Sequence, residues 1–274
     1  MSRPPTDGLA DLRSVPGVKL IGREVEWVAS TGSTNDDMKL RARGGAAEGL
    51  VLVTDEQTAG RGRRGRSWQA PPTSSLLQSI LLRPTWLAIT DGFLLTMLAA
   101  VAAAEAIEAL TSITVGLKWP NDLQYADHKL GGILVETELR DGAYVWAVIG
   151  LGLNVNWDPS SNPLLINPAT SLAAAQGSPV DRVALCTALV QAIDGWYERL
   201  RDGARSALFA AWQARLTTLG REIHAETPEG LLSGRAEGVD QRGSLLLRTA
   251  DGLCHTLHAG EITVRPAPGS AHLH

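Results

Sequence analysis

Gln57-Thr58-Ala59-Gly60-Arg61-Gly62-Arg63-Arg64-Gly65-Arg66-Ser67-Trp68 decides how the rest of the chain is read. Gly60 to Gly65 fits the G-x-G-x-x-G pattern of dinucleotide-binding turns. Gly60 to Ser67 also fits the spacing of a P-loop, with Arg66 in the lysine's place. Both patterns work by starting a helix directly after the glycines, so that its N-terminus holds a phosphate. Here Trp68-Gln69-Ala70-Pro71-Pro72 follows, and paired prolines forbid a continuing helix. The Rossmann and P-loop readings therefore fail on context. What remains is four arginines within six residues, interleaved with three glycines. Like charges at that density repel unless an anion neutralises them. Guanidinium forks grip carboxylate and phosphoryl oxygens in pairs, and glycine lets backbone approach a ligand closely. A loop that folds over a carboxylate and a phosphate would satisfy both features; taken by itself, an arginine run more often reads as a solvated basic loop or a nucleic-acid contact. Repulsion among the arginines also predicts a loop that is mobile when empty.

The whole chain has 274 residues, 44% hydrophobic and 20% charged. That suits one large domain, or a large one with a small one attached. A net charge of −4 is unlike dedicated nucleic-acid binders, which tend to be basic. Two cysteines, Cys186 and Cys254, make no disulfide framework and read as reduced thiols. No basic-then-apolar signal opens the sequence, and no unbroken apolar run of about 18 residues occurs. The chain is read as cytoplasmic, with no membrane partner.

Outward from the loop the pattern is mixed. Upstream, Ser33-Thr34-Asn35-Asp36 offers N-cap chemistry for a short helix, and residues 50–54 read as a buried strand. Downstream, residues 76–82 read as a strand. Phe93, Leu94, Met97, Leu98, Val101, Ala104 and Ile107 recur at helical spacing, which predicts an amphipathic helix over about 92–110. Residues 129–139 and 143–155 flank Asp141-Gly142, a hairpin signal. Cys186, Leu189, Val190, Ile193, Tyr197 and Leu200 mark a second long helix, and a further one is expected over 204–217. After Gly220, short segments alternate with turn signals at Pro228-Glu229-Gly230, Gln241-Arg242-Gly243 and Asp251-Gly252. The fold class is α+β: a mixed sheet with flanking helices, then a small SH3-like β-barrel. The expected division is a flexible arm over 1–24, with at most a short helix near 9–15; a catalytic domain over 25–219; the barrel over 220–266; and a disordered tail over 267–274.

The Gly/Arg stretch resembles the biotin-binding loop of biotin–protein ligases, whose pattern is close to G-R-G-R-x-G-R-x-W. Other segments resemble that family's motifs in the family's order. They are Ser33-Thr34-Asn35, Lys118-Trp119-Pro120-Asn121-Asp122, Lys129-Leu130-Gly131-Gly132-Ile133-Leu134, Gly150-Leu151-Gly152-Leu153-Asn154-Val155-Asn156, and Gly260-Glu261-Ile262 near the end. No single motif carries the resemblance; jointly they cover about residues 25–265. The chain is thereby identified as a member of this family, of the monofunctional type, with its class II synthetase-like catalytic fold.

The resemblance implies two half-reactions. Biotin's carboxylate attacks the α-phosphorus of ATP, giving biotinyl-5′-AMP and pyrophosphate; a lysine of a biotin carboxyl carrier domain then attacks the mixed anhydride. It implies catalytic roles for Lys129, Arg61 and Arg63, with Lys129 bridging carboxylate and α-phosphate and the arginines closing over the intermediate. Biotin contacts are implied for Ser33, Thr34, Asn35, Gln57, Gly60, Arg61, Gly62, Arg63, Trp68, Lys129 and Gly132. The nucleotide side is assigned to Arg61, Arg63, Arg64, Lys118, Asn121, Asp122, Lys129 and Asn154. ATP and Mg²⁺ are the implied cofactors, with the metal held mainly by phosphates and Asp122 as the candidate protein carboxylate. His255 and His258 lie in expected β structure with no further ligand by sequence, so no metal site is read there.

The sequence departs from the family in two places. Leu77 stands where many relatives carry an aromatic residue, which predicts a differently built pocket wall. Only 32 residues precede Ser33, too few for the winged helix-turn-helix of the repressor relatives, so no DNA partner is expected. Two rival functions fit parts of the same pattern: lipoate or octanoate transfer on the same fold, and a nucleic-acid or adaptor protein built on the arginine loop.

Overall fold

A computed structural model describes residues 8–161, 168–227, 230–258 and 261–264. In chain order its elements are β1 (Val25–Val28), α1 (Thr34–Arg43), β2 (Val51–Thr54), β3 (Ser75–Leu82), α2 (Phe93–Leu110), β4 (Gly116–Lys118), β5 (Asp122–Tyr125), β6 (His128–Arg140) and β7 (Ala143–Asn154). There follow α3 (Leu172–Gln176), α4 (Arg182–Arg201), α5 (Arg205–Gln213), β8 (Glu222–Thr227), β9 (Gly230–Val239), β10 (Leu245–Thr249), β11 (Cys254–Leu257) and β12 (Glu261–Val264).

The first seven strands form one sheet in the order β1-β2-β3-β7-β6-β5-β4. β1 and β2 run parallel; the other neighbours pair antiparallel. The two-residue period of a strand assigns each side chain a face. Leu76, Ile80 and Leu82 of β3 join Ile149, Leu151 and Leu153 of β7 in the main core. Leu81 and Val148 point the other way, into a small cluster with Met38 and Ala42 of α1. So α1 covers one face, and α2, with α4 and α5 packed against it, covers the other.

α2 is not amphipathic, as its spacing suggested, but buried nearly all round, from Leu94 to Ile107. α4 and α5 cover the side that would otherwise meet water. The segment Ile89–Leu110 is long and apolar enough to cross a membrane, with a mean hydropathy of 1.9 over an 18-residue window, yet 72% of that window is buried inside the fold. It is the core helix around which the domain closes.

Contrary to the expectation of a flexible arm over 1–24, residues 8–24 are packed down. Leu9, Val15 and Ile21 are buried. The buried Asp194 carboxylate of α4 accepts the N–H groups of Lys19, Leu20 and Ile21 at 2.7, 2.9 and 2.8 Å. Residues 1–7, the turn residues Pro228 and Glu229, Gly260 of the terminal motif and the expected tail over 267–274 lie outside the described residues. α5 stops at Gln213 rather than running to 217, because the next residues pair with β4: Leu117 N–H donates to Arg215 O at 2.8 Å and Thr217 N–H to Leu117 O at 2.9 Å. β8 to β12 form a separate five-stranded antiparallel sheet in the order β11-β10-β9-β8-β12.

Candidate active site

The site opens on the α1 face of the sheet, where side chains on β6 and β7 are missing. Gly150 and Gly152 of β7 present bare backbone there. A Cβ at Gly150 would fall on the Asn35 carboxamide, and one at Gly152 would sit 2.7 Å from the Trp68 ring. Glycine at these two positions lets α1 and the indole approach the sheet that closely. The lining runs from Ser33, Thr34 and Gln57, past Trp68 and Gly152, to Lys118, Asn121, Asp122 and Lys129. Motifs scattered over more than a hundred residues thus meet at one cavity.

One end is neutral and polar. Ser33 is the N-cap residue of α1, but its side chain makes no capping bond. Gln57 serves instead: its Oε1 accepts from Thr34 N at 2.8 Å and from Thr34 Oγ1 at 3.1 Å. The buried Ser79 hydroxyl lies 2.8 Å from Thr34 Oγ1 and 2.6 Å from Asn35 Oδ1. Asn35 Nδ2 donates to Leu134 O at 3.2 Å and Glu136 Oε2 at 2.8 Å. Every member of this chain has a fixed partner, as a buried polar set requires.

Above it lies the Gly/Arg stretch, folded as a small hairpin. Trp68 N–H donates to Gly60 O at 2.8 Å, Arg61 bridges Ser67, and Gly62 N–H donates to Arg66 O at 2.7 Å. A single 3-10 turn at Arg63–Gly65 forms the tip, with Arg64 left-handed at φ 55°. Arg61 is ion-paired on two sides. Its Nε and Nη2 donate to Asp36 at 3.0 and 2.7 Å, and Nη2 also reaches Glu136 Oε2 at 2.7 Å. The hydrogen bond that Arg61 donates to Glu136 raises the Arg61 pKa, burial opposing. Burial alone would push the Glu136 carboxyl up, but hydrogen bonds from Arg61, Lys39 and Asn35 together hold it below the usual glutamate range.

The other end is cationic. Arg63 Nη1 donates to Asn121 Oδ1 at 3.1 Å, and Asn121 Nδ2 is pinned to Ile133 O at 2.8 Å. Lys129 Nζ donates to Asp122 Oδ1 at 2.7 Å and stands 5.8 Å from the centroid of the Trp68 ring. The Lys129 backbone is gripped by the returning chain: its N–H donates to Pro168 O, and Thr170 N–H donates to its carbonyl, both at 2.9 Å. Among the lining residues, Arg63, Arg64, Arg66, Lys118 and Lys129, besides the Arg61 already paired to Asp36 and Glu136, stand against one lining carboxylate, Asp122. Such a cavity concentrates anions.

Two expected residues fall outside the lining. Gly60 closes the hairpin instead, and a Cβ there would strike the Trp68 carbonyl. Asn154, expected on the nucleotide side, donates its amide to Thr170 O at 3.1 Å, so it braces the segment that grips Lys129. Ser33, Thr34, Asn35, Gln57, Arg61, Gly62, Arg63, Arg64, Trp68, Lys118, Asn121, Asp122, Lys129 and Gly132 all line the cavity. Leu77 is buried on β3 opposite Gly152 without lining it. No group of three or more His, Cys, Asp or Glu side chains converges among the described residues. Asp122 is a single carboxylate already held by an ammonium. The donor set therefore does not fit a protein-built metal cage.

Sequence reasoning missed Asp36, Ser79, Glu136, Gly150 and Gly152 as parts of the site. A signal for Glu136 existed: it sits four residues past Gly132 on β6, hence on the same face, where an acid on a half-buried strand needs partners.

Comparison with known proteins gives a consistent result. Residues 27–154 match the model of the biotin/lipoate A/B protein ligase family, and residues 218–265 match the biotin protein ligase C terminal domain. The chain is 34% identical over 251 residues to a biotin–[acetyl-CoA-carboxylase] ligase of Mycobacterium tuberculosis, covering 89% of this chain and 91% of that one. It is 33% identical over 240 residues to the bifunctional ligase/repressor BirA of Bacillus subtilis, covering 87% and 72%. Among solved structures, a biotin protein ligase from Aquifex aeolicus in complex with biotin and ATP superposes with a TM-score of 0.75 at 26% identity, over 89% of this chain and 99% of that one.

Proposed function

The chain belongs to the biotin/lipoate A/B protein ligase family, and on that premise we propose how its pocket works. It is an ATP-dependent biotin–protein ligase. The observation that carries the residue assignments is the meeting, in one cavity, of a neutral polar end and a cationic end with Trp68 between them.

Biotin has a polar ureido ring, an apolar thioether and alkyl tail, and a terminal carboxylate. The ureido group is assigned to Ser33, Thr34, Asn35 and Gln57, the apolar body to Trp68 and the bare backbone at Gly152 and Gly132, and the carboxylate to Lys129. ATP is assigned to Arg63, Arg64, Lys118, Asn121 and Asp122. In the first step a carboxylate oxygen bonds to the α-phosphorus and the α–β bridging P–O bond breaks, releasing pyrophosphate. Two anions must meet, so preorganised cations carry the catalysis: the Lys129 ammonium faces both oxygens and Arg63 the phosphate. The hairpin over the cavity keeps water from the anhydride. In the second step the amine of an acceptor lysine bonds to the carbonyl carbon, the C–O bond to AMP breaks, and the amine gives up a proton. The acceptor is assigned as the carrier domain of a biotin-dependent carboxylase. Mg²⁺ is assigned to the phosphates of ATP, since Lys129 already holds Asp122. The two unbridged thiols, Cys186 and Cys254, suit a cytoplasmic setting.

The test is transfer of labelled biotin to a purified acceptor domain with ATP and Mg²⁺, with labelled lipoate run in parallel. Biotin transfer that collapses in Lys129→Ala is the expected result. Lipoate transfer without biotin transfer would move the chain to the sister activity; neither, from a folded enzyme, would return the arginine hairpin to the nucleic-acid reading.

A further inference from the structure

We infer that Glu136, which touches no ligand-facing surface, is a positioning residue for the biotin end of the pocket, acting through Arg61 and Asn35, and that Arg61 is a clip for the hairpin rather than a ligand for the anions. The inference rests on the assignment of the biotin end made above.

Strand alternation places Gly132, Leu134 and Glu136 on one face of β6. Gly132 and Leu134 line the cavity; Glu136 stands one repeat further, behind the wall. Two donors from α1 and one from the hairpin converge on its carboxylate: Asn35 Nδ2 at 2.8 Å, Lys39 Nζ at 2.8 Å and Arg61 Nη2 at 2.7 Å. Asp36 takes the remaining contacts, from Arg61 and from Lys39 at 2.7 Å. Two cations and two anions form a neutral group. Arg61 therefore brings no uncompensated charge to an incoming carboxylate or phosphate, and its fork is already committed to carboxylates in a fixed geometry. What it does is tie the base of the hairpin to α1 and β6.

The same carboxylate fixes Asn35. Its amide nitrogen faces two acceptors, Glu136 and Leu134 O, and its oxygen faces the Ser79 hydroxyl, so only one orientation of the carboxamide is satisfied. Ser79 in turn meets Thr34, and Thr34 meets Gln57. A continuous hydrogen-bonded path thus runs from Glu136 to the floor assigned to the ureido ring. Removing the charge at its outer end leaves two cations sharing Asp36 and gives Asn35 an amide in place of a carboxylate partner.

The experiment measures pyrophosphate release in the biotin-activation step, with the wild type first, so that failure of the ligase reading shows before any variant is judged. In Glu136→Gln, the KM for biotin should rise roughly ten- to a hundredfold, the range of a lost charge-assisted hydrogen bond, while kcat stays within about threefold and the KM for ATP holds. Asp36→Asn, which reaches Arg61 from the helix side, should show the same split. Arg61→Met should do likewise, and the Glu136→Gln/Arg61→Met double variant should be no worse than about the larger single effect, since both remove one clip. An unchanged biotin KM in both carboxylate variants would overturn the proposal. So would a fall of about a hundredfold or more in kcat for Arg61→Met at saturating substrates, which would return Arg61 to the chemistry.

Discussion

Lys129 and Asp122 are joined by a 2.7 Å ion pair between β6 and β5, at the cationic end of the pocket. The backbone of Lys129 is held on both sides by the 168–170 segment, so its ammonium is preorganised rather than recruited. Lys129→Ala should slow biotinyl-adenylate formation by about 10²–10³-fold, the effect of losing one preorganised donor at a centre of developing charge. Thermal stability should hardly move, because a part-exposed pair contributes less than about 1 kcal/mol. Single-turnover pyrophosphate release measures the first effect. A rate within about threefold of wild type would remove Lys129 from the chemistry.

Gly152 is the second sharp test. Its missing side chain is what allows the Trp68 ring to lie on β7. Gly152→Val should displace the indole, since a rigid ring held within a paired hairpin cannot give way cheaply. Overpacking of this kind costs about 1–3 kcal/mol, and the KM for biotin should rise at least about tenfold. Titration of biotin followed by tryptophan fluorescence checks it; unaltered affinity would mean that Trp68 does not face the apolar body of the ligand.

Much of this was legible in the sequence for a physical reason. Apolar runs bounded by polar or turn residues, such as 76–82 and 143–155, declare strands, and the Gly/Arg stretch declares a loop by excluding helix. β4 and β5, with three and four residues, are too short for any period; they exist because residues 215–217 and β6 pair with them. The 8–24 segment looked loose because what holds it, Asp194, lies 173 to 175 residues away. Arg61 looked like an anion ligand because its partners sit 25 and 75 residues off. Composition announces a cation; only the fold reveals which cations are already neutralised. The burial of α2 was hidden likewise, since its cover comes from helices about a hundred residues later.

The Glu136 cluster has a pH signature. Its carboxyl is held below the usual glutamate range in the folded chain. The folded state therefore binds that proton less readily than the unfolded state. The stabilisation is complete above the ordinary glutamate pKa, about 4.3, and is lost as pH falls through the depressed folded value. Urea unfolding of wild type and Glu136→Gln should show a stability gap that is constant from about pH 7 to 5 and closes below. A gap that persists undiminished at pH 3 would contradict the pairing.

The two thiols should part company. Burial pushes the Cys186 thiol up to about 12, the Arg182 charge opposing, while Cys254 is exposed. Since the thiolate is the reacting species, a disulfide-exchange reagent at pH 8 should label the native enzyme once and the denatured enzyme twice. Two rapid equivalents from native protein would show that Cys186 of α4 is not buried in the fold.

The C-terminal sheet reaches the pocket wall through Gly243 and Trp119. Trp119, between Lys118 and Asn121, is almost wholly buried; its N–H donates to Thr218 Oγ1 at 3.0 Å and its indole to the carbonyl of Gly243 at 2.8 Å. Gly243 lies in the β9–β10 turn at φ +83°, and a Cβ there would fall on the Phe93 ring and 2.7 Å from Met97 Cε. The turn is thus wedged between α2 and the wall assigned to the nucleotide. Gly243→Ala joins a left-handed backbone cost of about 1–2 kcal/mol to overpacking of about 1–3 kcal/mol, so the whole enzyme should melt at lower temperature, not the small sheet alone. Trp119→Phe keeps most of the packing but leaves a buried carbonyl without its donor, about 1–3 kcal/mol. Because the displaced wall carries Lys118 and Asn121, the KM for ATP should rise more than the KM for biotin in both variants. Steady-state kinetics with each substrate varied in turn decides it: an equal or larger effect on biotin would mean the wedge supports the sheet generally and not the nucleotide wall.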